Sequence, residues 1–112
     1  MNQDHVQFEF MGLEPNYEIR SFISAVAEKL YFSAPSDAAM KMALQKAKGS
    51  IKASCRIASQ AGTFVAEAVS ESPIRAIQQI EQKIKNQLDN WKAWRFQNSQ
   101  NTQRQKSIGE EA

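Results

Sequence analysis

Hydrophobic residues recur along this chain with two different spacings. They stand at every second position in the predicted strands and at three- and four-residue steps in the predicted helices. The segment Val6–Met11 places every second residue on one face and ends at Gly12, which predicts a strand. Asn16 then has the position of a helix N-cap. The residues after it recur at three- and four-residue steps and predict the apolar stripe of a first helix: Ile19, Phe22, Ile23, Val26 and Leu30.

Three further strands are predicted after the break at residues 33–36. Residues 40–45 and 51–57 both alternate, and Lys48-Gly49 between them is a turn signal, so the two runs predict an antiparallel hairpin. Its outer face carries Lys41, Lys52 and Arg56. After a turn at residues 60–62, residues 63–69 alternate again and predict a fourth strand, with Val65, Glu67 and Val69 on the face opposite Phe64, Ala66 and Ala68.

A long amphipathic helix is predicted over residues 70–95. Ser72 is a suitable N-cap, and Pro73 occupies the first helical position, where its missing N–H is not needed. One apolar stripe runs along the segment through Ile74, Ile77, Ile80, Ile84, Leu88 and Trp91.

These elements predict an α+β fold with the order β-α-β-β-β-α. Two one-sided helices and four alternating strands indicate a mostly antiparallel four-stranded sheet with both helices packed on one face. We expect residues 1–96 to form this domain. Residues 97–112 are polar and rich in Gln and Asn, so we expect a disordered C-terminal tail.

Positive charge is gathered in two blocks, although the whole chain carries a net charge of only +2. Residues 41–56 hold five basic residues and no acid, and residues 73–106 hold seven basic residues and two acids. Residues 1–40 hold six acids and two basic residues. Blocks of this kind can form a surface that attracts phosphate, and they can equally be solvated faces.

Catalytic and cofactor chemistry find little support in the residues. His5 is the single histidine and has no nucleophile at motif spacing, and the four glycines form no phosphate loop. Cys55 is the single cysteine and follows the apolar register, so we expect a buried core residue. We therefore predict a non-enzyme with no cofactor and no metal. No signal peptide or membrane span is apparent, which indicates a cytoplasmic protein without a membrane partner.

The element order and the last helix together resemble the family of ribosome hibernation-promoting factors and protein Y, also called sigma-factor modulation proteins. The resemblance rests on the stretch F-V-A-E-A-V-S-E-S-P-I-R-A-I-Q-Q-I-E-Q-K-I-K-N-Q-L-D-N-W-K, and near the N-terminus on Gly12 and Ile19-Arg20-x-Phe22-Ile23. Positions that match the family without a gap are Phe64, Ala66, Ala68, Ala76, Ile77, Ile80, Lys83, Ile84, Gln87, Leu88 and Lys92. The chain departs from the family pattern at Ser72, Pro73, Gln78, Gln82, Asn86 and Asn90.

The resemblance implies a short-form ribosome hibernation factor, without the C-terminal dimerisation domain of long forms. Such a factor binds the small ribosomal subunit and its ribosomal RNA, and it blocks the tRNA and mRNA sites under stress or in stationary phase. It has no small-molecule substrate. Candidate RNA-binding residues at or near family-like positions are Arg20, Lys83 and Lys92, and further candidates are Lys41, Lys52, Arg56, Arg75, Lys85 and Arg95.

Two other functions remain open at this point. A diverged protein-interaction module on the same scaffold is favoured if Val65 and Val69 are exposed. A double-stranded-RNA-binding domain shares the α-β-β-β-α order of residues 16–95, but it needs a lysine cluster where this chain has only Arg75. Trp91 continues the apolar stripe and is expected in the core, whereas Trp94 lies at the edge of that stripe and is open to either packing or RNA stacking.

Overall fold

Six elements follow one another in the predicted order in the computed structural model, which describes residues 5–104 and the side chains of residues 5–95. They are β1 (Val6–Met11), α1 (Tyr17–Ser33), β2 (Ala39–Ala47), β3 (Ser50–Ser59), β4 (Gly62–Ser70) and α2 (Pro73–Arg104). The predicted strands are each present, and β2, β3 and β4 extend one or more residues beyond the predicted runs.

The four strands form one sheet in the order β1-β2-β3-β4. β1 and β2 are parallel, because α1 connects them and returns the chain to the same end of the sheet. The other two pairs are antiparallel hairpins. Lys48 and Gly49 both have positive φ, at 50° and 81°, which is the backbone of a tight primed turn between β2 and β3. The predicted mostly antiparallel α+β sheet is confirmed.

Both helix starts are capped as the sequence predicts. The side chain of Asn16 accepts a hydrogen bond from the backbone N–H of Ile19 at 2.9 Å. At α2, the backbone N–H of Arg75 donates to the hydroxyl of Ser72 at 3.3 Å, and Pro73 is the first helical residue. Each cap satisfies a backbone donor that has no partner within its helix.

The core lies between the helices and one face of the sheet. α2 packs against β3, β4 and α1, and alternate residues of every strand enter the same core. Trp91 packs against this core and meets the ring of Phe64 edge-on, as its place on the apolar stripe predicts. The most deeply buried side chains come from α1, the strands and α2 alike: Ile23, Val26, Met42, Leu44, Cys55, Ile57, Ile77, Ile80, Ile84 and Leu88. Within residues 5–104 no helix packs on the opposite face of the sheet, which is called the open face below.

Cys55 is a buried free thiol on β3, which confirms its predicted place in the core. Burial raises the pKa of this thiol from 9.0 to about 12, because the thiolate would be separated from water. The folded state therefore holds the proton more tightly than the unfolded state between these two values. Stability is fully present below pH 9 and falls as the pH rises above it.

We expect raising the pH from 8 to 10 to lower the free energy of unfolding by about 1.4 kcal/mol through Cys55 alone. Denaturant unfolding of the wild type and of Cys55→Ala at both pH values measures this contribution, because other titrating groups are common to the two proteins. Equal losses in the two proteins would contradict the assignment.

α2 continues to Arg104, beyond the predicted end at Arg95. The prediction of disorder is therefore wrong for residues 97–104, which are helical. Residues 96–104 contain no proline or glycine, and Gln and Arg extend an established helix at little cost. The helix therefore continues beyond the end of its apolar stripe. Residues 105–112 lie outside the described residues, and the division into a domain and a tail stays a prediction.

Candidate nucleic-acid interface

The nine predicted RNA-binding residues are all exposed, but they lie on two layers of the molecule. Lys41, Lys52 and Arg56 project from β2 and β3 on the open face, where the alternation of the strands places them. The other six belong to the helical layer on the opposite side of the sheet: Arg20, Arg75, Lys83, Lys85, Lys92 and Arg95. The fold does not gather all nine into a single patch.

Lys41 and Arg56 face each other directly across β2 and β3. The same row continues to Gln7 on β1 and to Val65 on β4, so it contains no acid. Two like charges in directly opposed positions repel each other and destabilise a sheet. A row that keeps both is suited to an anionic partner.

Among the side chains that the structure describes, two acids lie on the open face, and both are engaged with lysines. Glu9 forms an ion pair with Lys41 at 3.0 Å, and Glu67 forms one with Lys52 at 3.6 Å. Within the part of the chain whose side chains are described, Arg56 has no ion pair or hydrogen-bonded side-chain partner. Its five N–H donors are available to a ligand.

Lys83 lies where the helical layer meets the outer edge of β4. Its ammonium group donates to the backbone carbonyl of Glu67 at 2.7 Å. The amide of Gln87, one helical turn further on, donates to the carbonyl of Val65 at 2.8 Å and accepts from its N–H at 3.2 Å. Four helical residues rise about 6 Å and two strand residues about 7 Å, so the two side chains match alternate residues of the strand. Together they cover an edge that is otherwise open to pairing with another chain.

Replacing Gln87 with alanine is expected to lower the free energy of unfolding by about 1–2 kcal/mol, because two hydrogen bonds to the strand edge are lost. The variant should also self-associate more readily through the uncovered edge of β4. Denaturant unfolding and light scattering measure the two effects. Gln79→Ala, an exposed position on the same helix, is the matched control, and identical behaviour of the two variants would contradict this role for Gln87.

The remaining lysines of α2 point away from β4. At 100° per residue, Lys85 and Lys92 share the side of the helix that carries Glu81. Glu81 faces α1, since it pairs with Lys29 at 2.8 Å. Arg75 lies near the start of α2 and on its solvent side. These charges therefore face a different direction from Lys83.

The arginines at the two ends of the helical layer pack over aromatic rings. The guanidinium of Arg20 lies 5.3 Å from the ring centre of Phe10, and its Nε donates to the carbonyl of Pro15 at 3.3 Å. The guanidinium of Arg95 lies 5.1 Å from the ring centre of Trp91. A cation over a ring face is held in place while its outer N–H groups still reach solvent. Both arginines thus have a structural role as well as a free charge.

A shallow cavity of about 250 Å³ opens on the open face at the end of the sheet where β1 and β2 begin. Sequence reasoning identified Lys41 and Arg56 but missed the other residues around it. No sequence pattern marks these residues as part of a site, because the cavity forms only when β1 pairs with β2. The partner strand of β1 cannot be derived from alternation alone. The lining residues are His5, Gln7, Ala39, Met40, Lys41, Arg56 and Ala58.

Apolar side chains are also exposed around these charges. Val65 is 47% exposed and Val69 is 61% exposed, both on the open face of β4. Trp94 on α2 is 62% exposed, so it is not a core residue. Among the described residues, no three metal-ligating side chains come together, and no helix is long and apolar enough to span a membrane.

Comparison with known proteins finds likeness in structure alone. No family model matches the sequence, and no curated protein matches it. A ribosomal subunit interface protein from Coxiella burnetii superposes with a TM-score of 0.65 at 18% identity, covering 80% of this chain and 98% of that one. The N-terminal domain of Thermus thermophilus protein Y superposes with a TM-score of 0.55 at 18% identity, covering 71% and 93%. The resemblance found in the sequence is thus confirmed in structure, and this chain has the fold of these ribosome-interface and protein Y domains.

Proposed function

We propose that this protein is a ribosome-associated factor that binds the small ribosomal subunit and blocks its tRNA and mRNA sites when translation is idle. It acts by occupying the subunit rather than by catalysis. The observation that carries the proposal is the fold, which is shared over nearly the whole length of the Coxiella ribosomal subunit interface protein.

The distribution of basic residues supports binding within a groove. A protein on a flat RNA surface needs cations on one side, whereas a domain inside a groove meets phosphates on several sides. Here the cations lie on both layers of the domain, with Arg56 on the open face and Lys85 and Lys92 on α2. Lys83 at the edge of β4 uses one of its three ammonium donors on the strand and keeps two for phosphate.

The mechanism requires a rigid body in the path of the ligands. The core that joins both helices to the sheet, the capped helix starts and the covered edge of β4 give the domain a fixed shape. Binding energy comes from phosphate contacts and the release of counterions, so no chemical step is needed.

A second candidate is a protein-interaction module, and the exposure of Val65 and Val69 favours it. Two exposed valines on one strand offer an apolar contact to a protein. Glu67 lies between them on the same face of β4 and separates the two valines, so we rank this function below ribosome binding.

The test is co-sedimentation of the purified protein with separated small and large ribosomal subunits at low and raised salt. We expect pelleting with the small subunit at low salt and release at raised salt. Pelleting with the large subunit alone would contradict the proposed site. Failure to pellet with either subunit at low salt would contradict ribosome binding and favour a protein partner.

Charge removal in α2 sharpens this experiment. The pair Lys85→Gln and Lys92→Gln should weaken binding to the small subunit by on the order of tenfold or more at low salt. The pair Lys46→Gln and Lys48→Gln removes the same charge from the end of β2 and the turn that follows it, and is the matched control. Equal weakening in the two pairs would show that only net charge matters and would contradict a role for α2.

A further inference from the structure

We propose that the cavity on the open face is a binding site for single-stranded RNA, in which Lys41 and Arg56 hold a backbone phosphate and the adjoining nucleotide lies on Ala39 and Ala58. The inference rests on the proposed function and names the part of the open face that meets RNA. The inference is based on two facing cations, Lys41 and Arg56, that line the same cavity as two small residues, Ala39 and Ala58.

The charges of the cavity favour an anion. Lys41 and Arg56 face each other directly, and both acids of the open face are paired with lysines, so Arg56 has no acid to neutralise it among the described side chains. A phosphate beside Arg56 would pair with its guanidinium, and Lys41, whose ammonium pairs with Glu9 at 3.0 Å, has further donors for a second phosphate oxygen. Arg56 offers the planar pair of N–H donors that fits two phosphate oxygens, and Lys41 adds a point charge.

The shape of the cavity favours one nucleotide. Ala39 and Ala58 are directly paired neighbours of β2 and β3, and their short side chains leave a depression next to the taller row of cations. The volume of about 250 Å³ lies below the range of roughly 300–1,000 Å³ that is usual for ligand pockets, so the cavity has room for no more than one nucleotide. His5 and Gln7 on the β1 side add polar groups that can contact a base or sugar.

An extended RNA strand fits this position better than a helix. The site is a shallow depression on an exposed sheet face, where an unstacked base can lie against the surface while its phosphate reaches the charges beside it. Val65, in the same row as Arg56, extends the apolar surface toward β4 for a neighbouring base.

The experiment is a titration of the full-length, nitrogen-15-labelled protein with hexauridylate at about 50 mM salt, followed by amide chemical shifts. We expect the shifts to change at residues 39–41 and 56–58. The pair Lys41→Gln and Arg56→Gln should weaken binding by on the order of 10- to 100-fold. The matched pair Lys46→Gln and Lys48→Gln should weaken it by less than about threefold. Spectra of the free variants confirm that each is folded.

Changes at other residues, no changes at all, or equal weakening in the two pairs would overturn the inference. Inorganic phosphate at the same phosphate concentration is a separate arm, and equal affinity for it would show a simple anion site instead of an RNA site. Concentration-dependent shifts at Val65 and Val69 without RNA, in place of the RNA response, would assign the face to protein contact. Co-sedimentation of the wild type with ribosomal subunits reports on the proposed function independently, so the two failures are distinguishable.

Discussion

Replacing Ile80 with alanine should lower the free energy of unfolding by about 2–5 kcal/mol. Ile80 is fully buried at the middle of the α2 stripe and belongs to the core that joins the helices to the sheet. Small domains have total stabilities of about 5–15 kcal/mol, so this single change removes a large share. The loss combines the transfer of the missing methyl groups with the space they leave.

Denaturant unfolding monitored by circular dichroism measures this change. Val69→Ala is the control, because it also shortens a β-branched side chain but at a position that is 61% exposed. Its expected effect is less than about 1 kcal/mol. Similar losses in the two variants would show that α2 does not hold the core through this stripe.

The second large effect is expected in the salt dependence of ribosome binding. If about three to five phosphates are contacted, raising monovalent salt from 50 to 200 mM should weaken binding roughly 20- to 500-fold. The physical reason is that each neutralised phosphate releases counterions, and this gain shrinks as the salt concentration rises. Affinity for purified small subunits across a salt series measures the slope directly.

Magnesium is kept constant through that series, so that the subunits keep their structure. The pair Lys41→Gln and Arg56→Gln should reduce the slope by about 1.4–1.8 if both cations contact phosphate. Binding that hardly changes with salt would point instead to an apolar interface, for which Val65 and Val69 are the exposed candidates.

Much of the fold could be predicted because local signals and burial agree. The Asn16 and Ser72 caps, the Lys48-Gly49 turn and the alternation of β2, β3 and β4 all lie where the pattern places them. In each case the residues have the local conformation that their type favours, and their side chains face the core or the solvent as the pattern predicts. A fold can be predicted from its sequence where the local signals and the burial pattern agree in this way.

The features that could not be predicted depend on contacts between distant residues. The parallel pairing of β1 with β2 brings His5 and Gln7 to the cavity, and no local pattern encodes this pairing. Gln87 matches the resembled family, but its two hydrogen bonds to Val65 appear only when α2 lies along the edge of β4. Polar side chains carry no periodic signal that would reveal such partners.

The candidate RNA-binding residues, likewise, can be placed only in part from the sequence. The sequence correctly places Lys41, Lys52 and Arg56 on the outer side of a hairpin. It does not show that Arg20 and Arg95 pack over aromatic rings. Their orientation depends on the tertiary packing of α1 and α2, so the role of each candidate in binding RNA stays a prediction.

Electron cryomicroscopy of the protein mixed with vacant ribosomes at low salt tests the central claim most directly. We predict density for the α+β domain on the small subunit, in the groove that tRNA and mRNA occupy, with RNA next to both the open face and α2. Density at another site on the ribosome, or an empty groove at saturating protein, would contradict the proposed function.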